Sequence, residues 1–434
     1  MTDAPPSPSP EPAPGLGLWR SSILAGLASY LDSATIVTTS IALVLYEKPL
    51  HLTSWTIGAI SALLTLSIAV GALVGGRLGD VVGRKRVYAV DLVVYGVGIA
   101  LLLGAVDAAM LCGGAAVAGL AMGADLPTSL ALIAETSPSG RRGRMVGVSA
   151  VLWTIGITTT AVLSVFASPH GAAGARILYG HLLLVACVTW FLRRGMHESE
   201  QWREAAAADV ARRPGLRDLK TPALLAPLLV TTGFYTLWNL AANTLGQFQA
   251  FLFVNVAHTT AATASLLTVA ALPVGIAAGF GFLRVADSPR RHRWFIVGAL
   301  VQVVGFLLPV FAGFTPLTLC VLGMAVVGGG AFAGEAIYKV WSQEFFPTLL
   351  RSTAQGATFG VTRALTAGFA VLTPSIANSN PRFLLGILIC CLIVGGLLGA
   401  RVIPRLERSR ASTPWTAEPA GQPAYVVSIG DAAA

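Results

Sequence analysis

Apolar residues run through this chain in long blocks, separated by short polar and basic joints. Between about Ser21 and Pro404 twelve blocks recur, at roughly 21–45, 55–75, 87–106, 109–134, 145–168, 174–192, 222–250, 259–283, 294–313, 316–341, 353–377 and 383–403. Each approaches the ~20 residues a helix needs to cross the hydrocarbon of a bilayer. Backbone N–H and C=O groups find no water there, so a spanning segment must bond to itself as a helix. The period-two alternation of a membrane barrel is absent from the sequence. The pattern predicts an all-α membrane protein with twelve transmembrane helices.

The joints set the expected organisation. Residues 1–17 are rich in Pro and Ser without an apolar core, so they are read as a disordered tail and not as a signal peptide. A first six-helix bundle is expected over 18–194 and a second over 222–404. Between them, 195–221 is charged and contains Pro214, as a linker would be, and 405–434 reads as a second tail. A short pattern also occurs twice. Glu135, Pro138 and Arg142 recur as Glu344, Pro347 and Arg351 in the same spacing. Asp80 has a fainter counterpart in Asp287, followed by Arg290 and Arg291, while Asp32 falls on Asn239 and Gly26 on Gly233. Two copies of one hydrophobic unit, with polar residues at matched depths, is the plan of a secondary transporter.

Composition sharpens this. Only 11% of residues are charged, and the mean hydropathy is +0.73, too apolar for a surface facing water. The net charge of +9 would fit nucleic-acid binding, but its distribution excludes that. Of the 29 Lys and Arg, only Lys48, Arg176 and Arg382 fall in alternate joints, and Lys339 and Arg363 within helices. The rest cluster in the joints that share a side with the amino terminus, which is the positive-inside rule. Both termini are therefore expected in the cytoplasm of a multi-pass protein in the cell membrane. The bias toward Ala, Arg, Gly and Pro points to a bacterial plasma membrane. Cys112, Cys187, Cys320, Cys390 and Cys391 all lie inside blocks, with no disulfide or metal spacing. No cofactor motif and no nucleophile constellation stands out, so an enzyme is not expected.

The joint Gly-Arg-Leu-Gly-Asp-Val-Val-Gly-Arg-Lys-Arg, Gly76 to Arg86, closely resembles the loop between helices two and three of the Major Facilitator Superfamily. The paired Glu-x-x-Pro-x-x-x-Arg elements and the stretch His197 to Arg203 resemble its sugar-porter branch, although that stretch lacks the usual prolines. Gly123-Ala124-Asp125-Leu126-Pro127 is similar to phosphate and organic-acid symporters. The resemblance implies two pseudo-symmetric six-helix bundles around a central site. It also implies a cytoplasmic gate built from Gly76, Asp80, Gly83, Arg84, Glu135 and Arg142 in the first half, with Asp287, Arg290, Glu344 and Arg351 in the second. The competing reading of the basic residues is that they only hold the joints inside.

Charges within the blocks carry more chemistry. Asp32 lies inside the first block. Asp125 stands ten residues before Glu135, about 15 Å along a helix, and Glu335 nine before Glu344, about 14 Å. Asp91 and Arg363 are also internal. A charge at the bilayer centre costs roughly 2.5–3.5 kcal/mol, so such residues are expected to face a cavity or a partner. Asp32, Asp125 and Glu335 are candidates for proton coupling, against the plainer reading of structural hydrogen bonds. Lys339, four residues past Glu335, is placed for a same-face ion pair, and Arg363 is an alternative partner. In the seventh block Tyr235, Asn239 and Asn243 share one face, with Trp238 beside it and Gln247 a turn on. Tyr338 and Trp341, with Ser342 and Gln343, come from the tenth block, and Thr35, Thr38 and Thr39 from the first. Amides and aromatic rings together suit a polyhydroxy compound. Helix-to-helix hydrogen bonding is the alternative.

The resulting expectation is a monomeric, lipid-embedded transporter taking up a small polar solute, a sugar or polyol such as an inositol, together with protons. An exporter exchanging protons for a drug or secondary metabolite would instead use Trp153, Phe234, Trp238 and Trp341 as a greasy pocket. An organic-acid or phosphate symporter would set Arg363 or Lys339 against its anion. A receptor that senses without moving a solute is the reading from a different class.

Overall fold

The computed structural model describes residues 16–208, 217–259 and 261–411. Most of both expected tails and the middle of the linker therefore lie outside the described residues. The first half comprises α1 (Leu16–Glu47), α2 (Ser54–Val82), α3 (Arg84–Leu103), α4 (Ala108–Thr136), α5 (Arg142–Ala167) and α6 (Ala172–Arg193). A short helix, α7 (Glu200–Ala208), occupies part of the joint read from sequence as linker. The second half comprises α8 (Pro222–Phe251), α9 (Ala261–Ala270), α10 (Leu272–Val285), α11 (Arg291–Ala312), α12 (Pro316–Gly330), α13 (Glu335–Glu344), α14 (Thr348–Ser379) and α15 (Pro381–Leu397), with α16 (Ile403–Ala411) closing the described chain.

Ten described helices are long and apolar enough to span a membrane. Large apolar side chains such as Val90, Val97, Leu184, Phe191, Val304 and Phe311 are exposed along them. That inverts the surface of a soluble protein and fits lipid contact.

Two of the predicted segments are broken, each for a local reason. The eighth becomes α9 and α10, with Pro273 in the first turn of α10. Proline lacks an N–H and its ring crowds the preceding turn, which favours a break there. The tenth becomes α12 and α13 across 331–334, after Gly328, Gly329 and Gly330. The Trp238 ring fills the space beside Gly334, where a Cβ would sit 2.5 Å from it. Gln302 Nε2 donates to Ala333 O at 3.2 Å, so a carbonyl freed by the break is satisfied. The break starts α13 at Glu335, a position where a carboxylate is favoured by the helix dipole.

Within the first half α2 and α4 cross closely. A Cβ on Gly71 would lie 2.1 Å from Leu120 O, and one on Gly123 2.2 Å from Ile68 O. The glycines four residues apart, Gly71 and Gly75 on α2 and Gly119 and Gly123 on α4, therefore mark a close helix contact and not a binding site. Each half has its own core at the end remote from the basic joints. At the basic end a single core joins them, running from Ala25, Leu130 and Met145 to Phe282, Phe345 and Leu350. The halves meet there along α2 with α14 and α5 with α10. Among the described residues, the core that welds the halves together lies at the basic end.

Candidate functional site

The weld is polar as well as apolar. Arg84 is fully buried and is the hub. Its guanidinium reaches Glu135 Oε1 at 2.6 Å and Asp80 Oδ1 at 3.0 Å. It also donates to Gly79 O at 2.6 Å and, across the halves, to Thr348 O at 2.8 Å. Asp80 accepts from the backbone N–H of Thr353 at 2.7 Å, its hydroxyl at 2.6 Å, and the N–H of Ser352 at 3.3 Å. Arg351 approaches Glu135 at 3.6 Å from the second half. On the other crossing, Asp287 accepts from Gly143 N at 2.6 Å and Arg144 N at 2.7 Å. These are otherwise unpaired donors in the first turn of α5, so a carboxylate from one half caps a helix of the other.

The duplicated motif gives much of its geometry twice: Asp80 accepts from Ser352 N and Thr353 N as Asp287 accepts from Gly143 N and Arg144 N. Glu344 pairs with Arg291 at 2.8 Å as Glu135 pairs with Arg84, and Arg291 also holds Glu407 at 3.0 Å. Arg142 donates through Nε to Ala134 O at 3.1 Å and leaves Glu135 to Arg84. Gly83 has φ 104°, a conformation glycine adopts freely. It lets Glu198 accept from Arg84 N and Lys85 N at 3.0 and 3.1 Å, capping α3. Trp202 donates to Asp80 O at 2.8 Å. The stretch from His197 to Arg203 therefore belongs to the weld, a role its sequence did not disclose. Asp80→Asn is expected to lower transport about tenfold or more with membrane insertion unchanged. Hydrogen bonds to a charged group contribute roughly 1.5–3 kcal/mol each, and this carboxylate accepts several across the halves. Unaltered kinetics in that variant would show that the weld is not part of the transport cycle.

Above the weld a second set of polar groups spans the interface. Asp32 of α1 meets Arg363 of α14 at 3.3 Å. Glu335 and Lys339 pair at 2.7 Å on α13, and Lys339 Nζ donates to Ser29 Oγ of α1 at 3.3 Å. Of the two partners proposed for Glu335, Lys339 is therefore the one in place. Tyr235 and Tyr338 stack at 4.1 Å, edged by Phe359, with Trp238 6.0 Å from Tyr235. Thr232 and Thr236 each meet a threonine of α14, Thr358 and Thr362, at 2.8 Å, which fixes α8 against the helix of Arg363.

Several buried polar atoms here have no protein partner: Asp32 Oδ1, Thr38 Oγ1, Trp153 Nε1, Tyr235 OH, Asn239 Oδ1 and Tyr338 OH. Buried polar groups are normally satisfied, so such a concentration marks a place for a polar ligand or water. Trp341 lies elsewhere, packed between Phe234 and Phe295 at 5.2 and 5.3 Å, so it is core and not lining. Trp238 donates to Gln302 at 2.9 Å. Asn243 is half-buried. The Gln247 side chain lies outside those described. Asp125 does not face this set. It is held by Arg193 at 2.9 Å inside the first half.

The sequence profile of the Major Facilitator Superfamily matches residues 22–371. The chain belongs to that superfamily. This facilitator is 35% identical over 401 residues to the minor myo-inositol transporter IolF of Bacillus subtilis, covering 89% of this chain and 90% of that protein. A putative niacin/nicotinamide transporter NiaP of the same organism is 22% identical, over 77% and 82% of the two chains. Among solved structures, the proton:xylose symporter XylE superposes with a TM-score of 0.75 at 17% identity, over 89% of this facilitator and 95% of that chain. FucP in its outward conformation gives 0.72 at 14%, over 89% and 98%. The fold is therefore the twelve-helix facilitator fold, and the protein is a multi-pass membrane transporter of the superfamily, not an enzyme.

Proposed function

We propose that the protein takes up a small polyhydroxy solute, a cyclitol such as myo-inositol or a related sugar, by proton symport through alternating access. The observation that carries this reading is the constellation between the halves. Stacked rings of Tyr235 and Tyr338 stand beside unpartnered hydroxyl, amide and carboxylate atoms. A ring compound with hydroxyls on its rim offers a partner to each and a carbon face to the aromatics. The relative named a myo-inositol transporter, similar along nearly the whole chain, supports the same class. Asp32, joined to Arg363 across the halves, is the coupling residue: protonation releases the ion pair and lets the halves part. Glu335, tied to Lys339 and through it to Ser29, supports the same contact. The basic end, with both termini, faces the cytoplasm, and the unit works as a monomer in the plasma membrane.

An anionic substrate is less favoured, because Arg363 and Lys339 already hold carboxylates. An exporter's apolar pocket is less favoured because Trp341 and Phe234 are spent in the core. The test is uptake of labelled myo-inositol, glucose and xylose by proteoliposomes with and without an inward proton gradient. Gradient-dependent accumulation of a polyol or sugar is expected. Tyr338→Phe, which removes one unpartnered hydroxyl, is expected to raise KM severalfold, corresponding to about 1 kcal/mol. Accumulation of organic acids or drugs alone would overturn the reading.

A further inference from the structure

A second charged cluster lies inside the first half, away from the central site. Arg193, the last residue of α6, turns inward and is 3% exposed. All five of its N–H groups are committed. Nη1 donates to both oxygens of Asp125 at 2.9 Å. Nε and Nη2 donate to Leu24 O and Ala25 O, each at 2.9 Å, and Nη2 also reaches Ser129 Oγ at 3.5 Å. Ser129 Oγ donates to Asp125 Oδ1 at 2.6 Å. The guanidinium stands 4.6 Å over the Tyr88 ring.

Asp91 of α3 interacts electrostatically with Asp125 and Arg193. It is only 5% exposed, receives one N–H from Leu92 at 2.6 Å on Oδ1, and has no donor for Oδ2. The Tyr88 hydroxyl beside it is also buried and unpartnered. The charged and titratable groups facing the cluster are Tyr88 and Asp91 from α3, Asp125 from α4 and Arg193 from α6. From α1 come the backbone carbonyls of Leu24 and Ala25.

Two carboxylates therefore share one guanidinium that has no N–H left for the second. A carboxylate buried with one oxygen lacking any donor is not held as an anion. We propose that Asp91 holds one exchangeable proton, so that this cluster is a proton-binding site distinct from Asp32. The proton brings the cluster to neutrality. Because Arg193 grips α1 seven residues before Asp32, movement of α1 changes Arg193's hold on Asp125 and with it the affinity for the proton. Use of the site in coupling rests on the symport reading above; occupancy by a proton does not.

The test is infrared spectroscopy of the purified full-length protein through a pH series. A protonated carboxyl band, sensitive to deuterium exchange, is expected at neutral pH. It should be lost on raising the pH and absent in Asp91→Asn, whose amide keeps the shape and the donor. A neutral-pH spectrum whose carboxyl bands are the same in wild type and Asp91→Asn overturns the site. In proteoliposomes Asp91→Asn should keep solute counterflow and lose gradient-driven accumulation about tenfold or more. If the wild type shows no proton-driven accumulation, the symport reading fails, and the infrared result still decides whether Asp91 holds a proton.

Discussion

Asp32→Asn is expected to abolish accumulation against a gradient while leaving exchange of solute across the membrane measurable. The carboxylate is the one charge on α1 that reaches the second half, at 3.3 Å from Arg363. Its other oxygen is buried without a partner, as is the indole N–H of Trp153. An Asn keeps the volume and a hydrogen-bonding oxygen but cannot gain or lose a proton in the cycle. It also leaves Arg363, itself 12% exposed at the side chain, without the carboxylate it is paired with. Breaking a buried pair by removing one member costs roughly 3–5 kcal/mol, most of it from the charge left behind. Some loss of stability should therefore accompany the loss of coupling. The double variant Asp32→Asn with Arg363→Gln separates the two effects. It should recover much of the stability, because both charges are gone, and recover none of the proton-driven accumulation. The experiment pairs thermal unfolding with uptake and counterflow in proteoliposomes. Accumulation by Asp32→Asn at the wild-type level would remove Asp32 from the coupling step.

The sequence disclosed the spanning segments well, because the bilayer imposes a length and a polarity that no other environment demands. It disclosed the hub Asp80, Arg84 and Glu135 through a motif whose spacing is tied to one loop geometry. It did not disclose where the breaks in the eighth and tenth segments fall. Those depend on what occupies the space beside them, such as Trp238 against Gly334. The repeat carries through to pairing, since Glu344 meets Arg291 as Glu135 meets Arg84, while Arg351 reaches across to Glu135.

Arg193 is the clearest case of a contact the sequence did not disclose. As the first of a run of basic residues it reads as part of a joint held inside by charge. Its guanidinium instead points back into the bundle, because Asp125 and two α1 carbonyls are within reach. Periodicity places Cα atoms, but it does not say which way a long side chain turns. Trp341 shows the converse, an aromatic at a plausible lining position that the core absorbs.

The close approach of α2 and α14 makes the second strong prediction. A Cβ on Gly356 would stand 2.1 Å from Ala72 O and 3.2 Å from Gly76 Cα. One on Gly76 would stand 2.4 Å from Ser352 O. These neighbours are backbone atoms, so no side-chain rotation relieves the clash, and the helices must separate. Gly356→Ala should therefore disfavour the arrangement closed at the basic end. Overpacking of this kind costs about 1–3 kcal/mol, enough to shift a two-state population roughly 5- to 150-fold. Alanine is also the better helix former, by about 1 kcal/mol, so α14 itself is not weakened. A loss of transport then reports on the contact between the halves. Spin labels at the exposed Arg86 and Arg290 positions, one in each half, would read the separation at the basic end. In Gly356→Ala the distance distribution should move to longer values and gradient-driven uptake should fall by about tenfold or more. The alternative is an unchanged distribution with normal uptake, which would mean that α2 and α14 can slide past one another without opening that end. The halves would then not rock about this crossing.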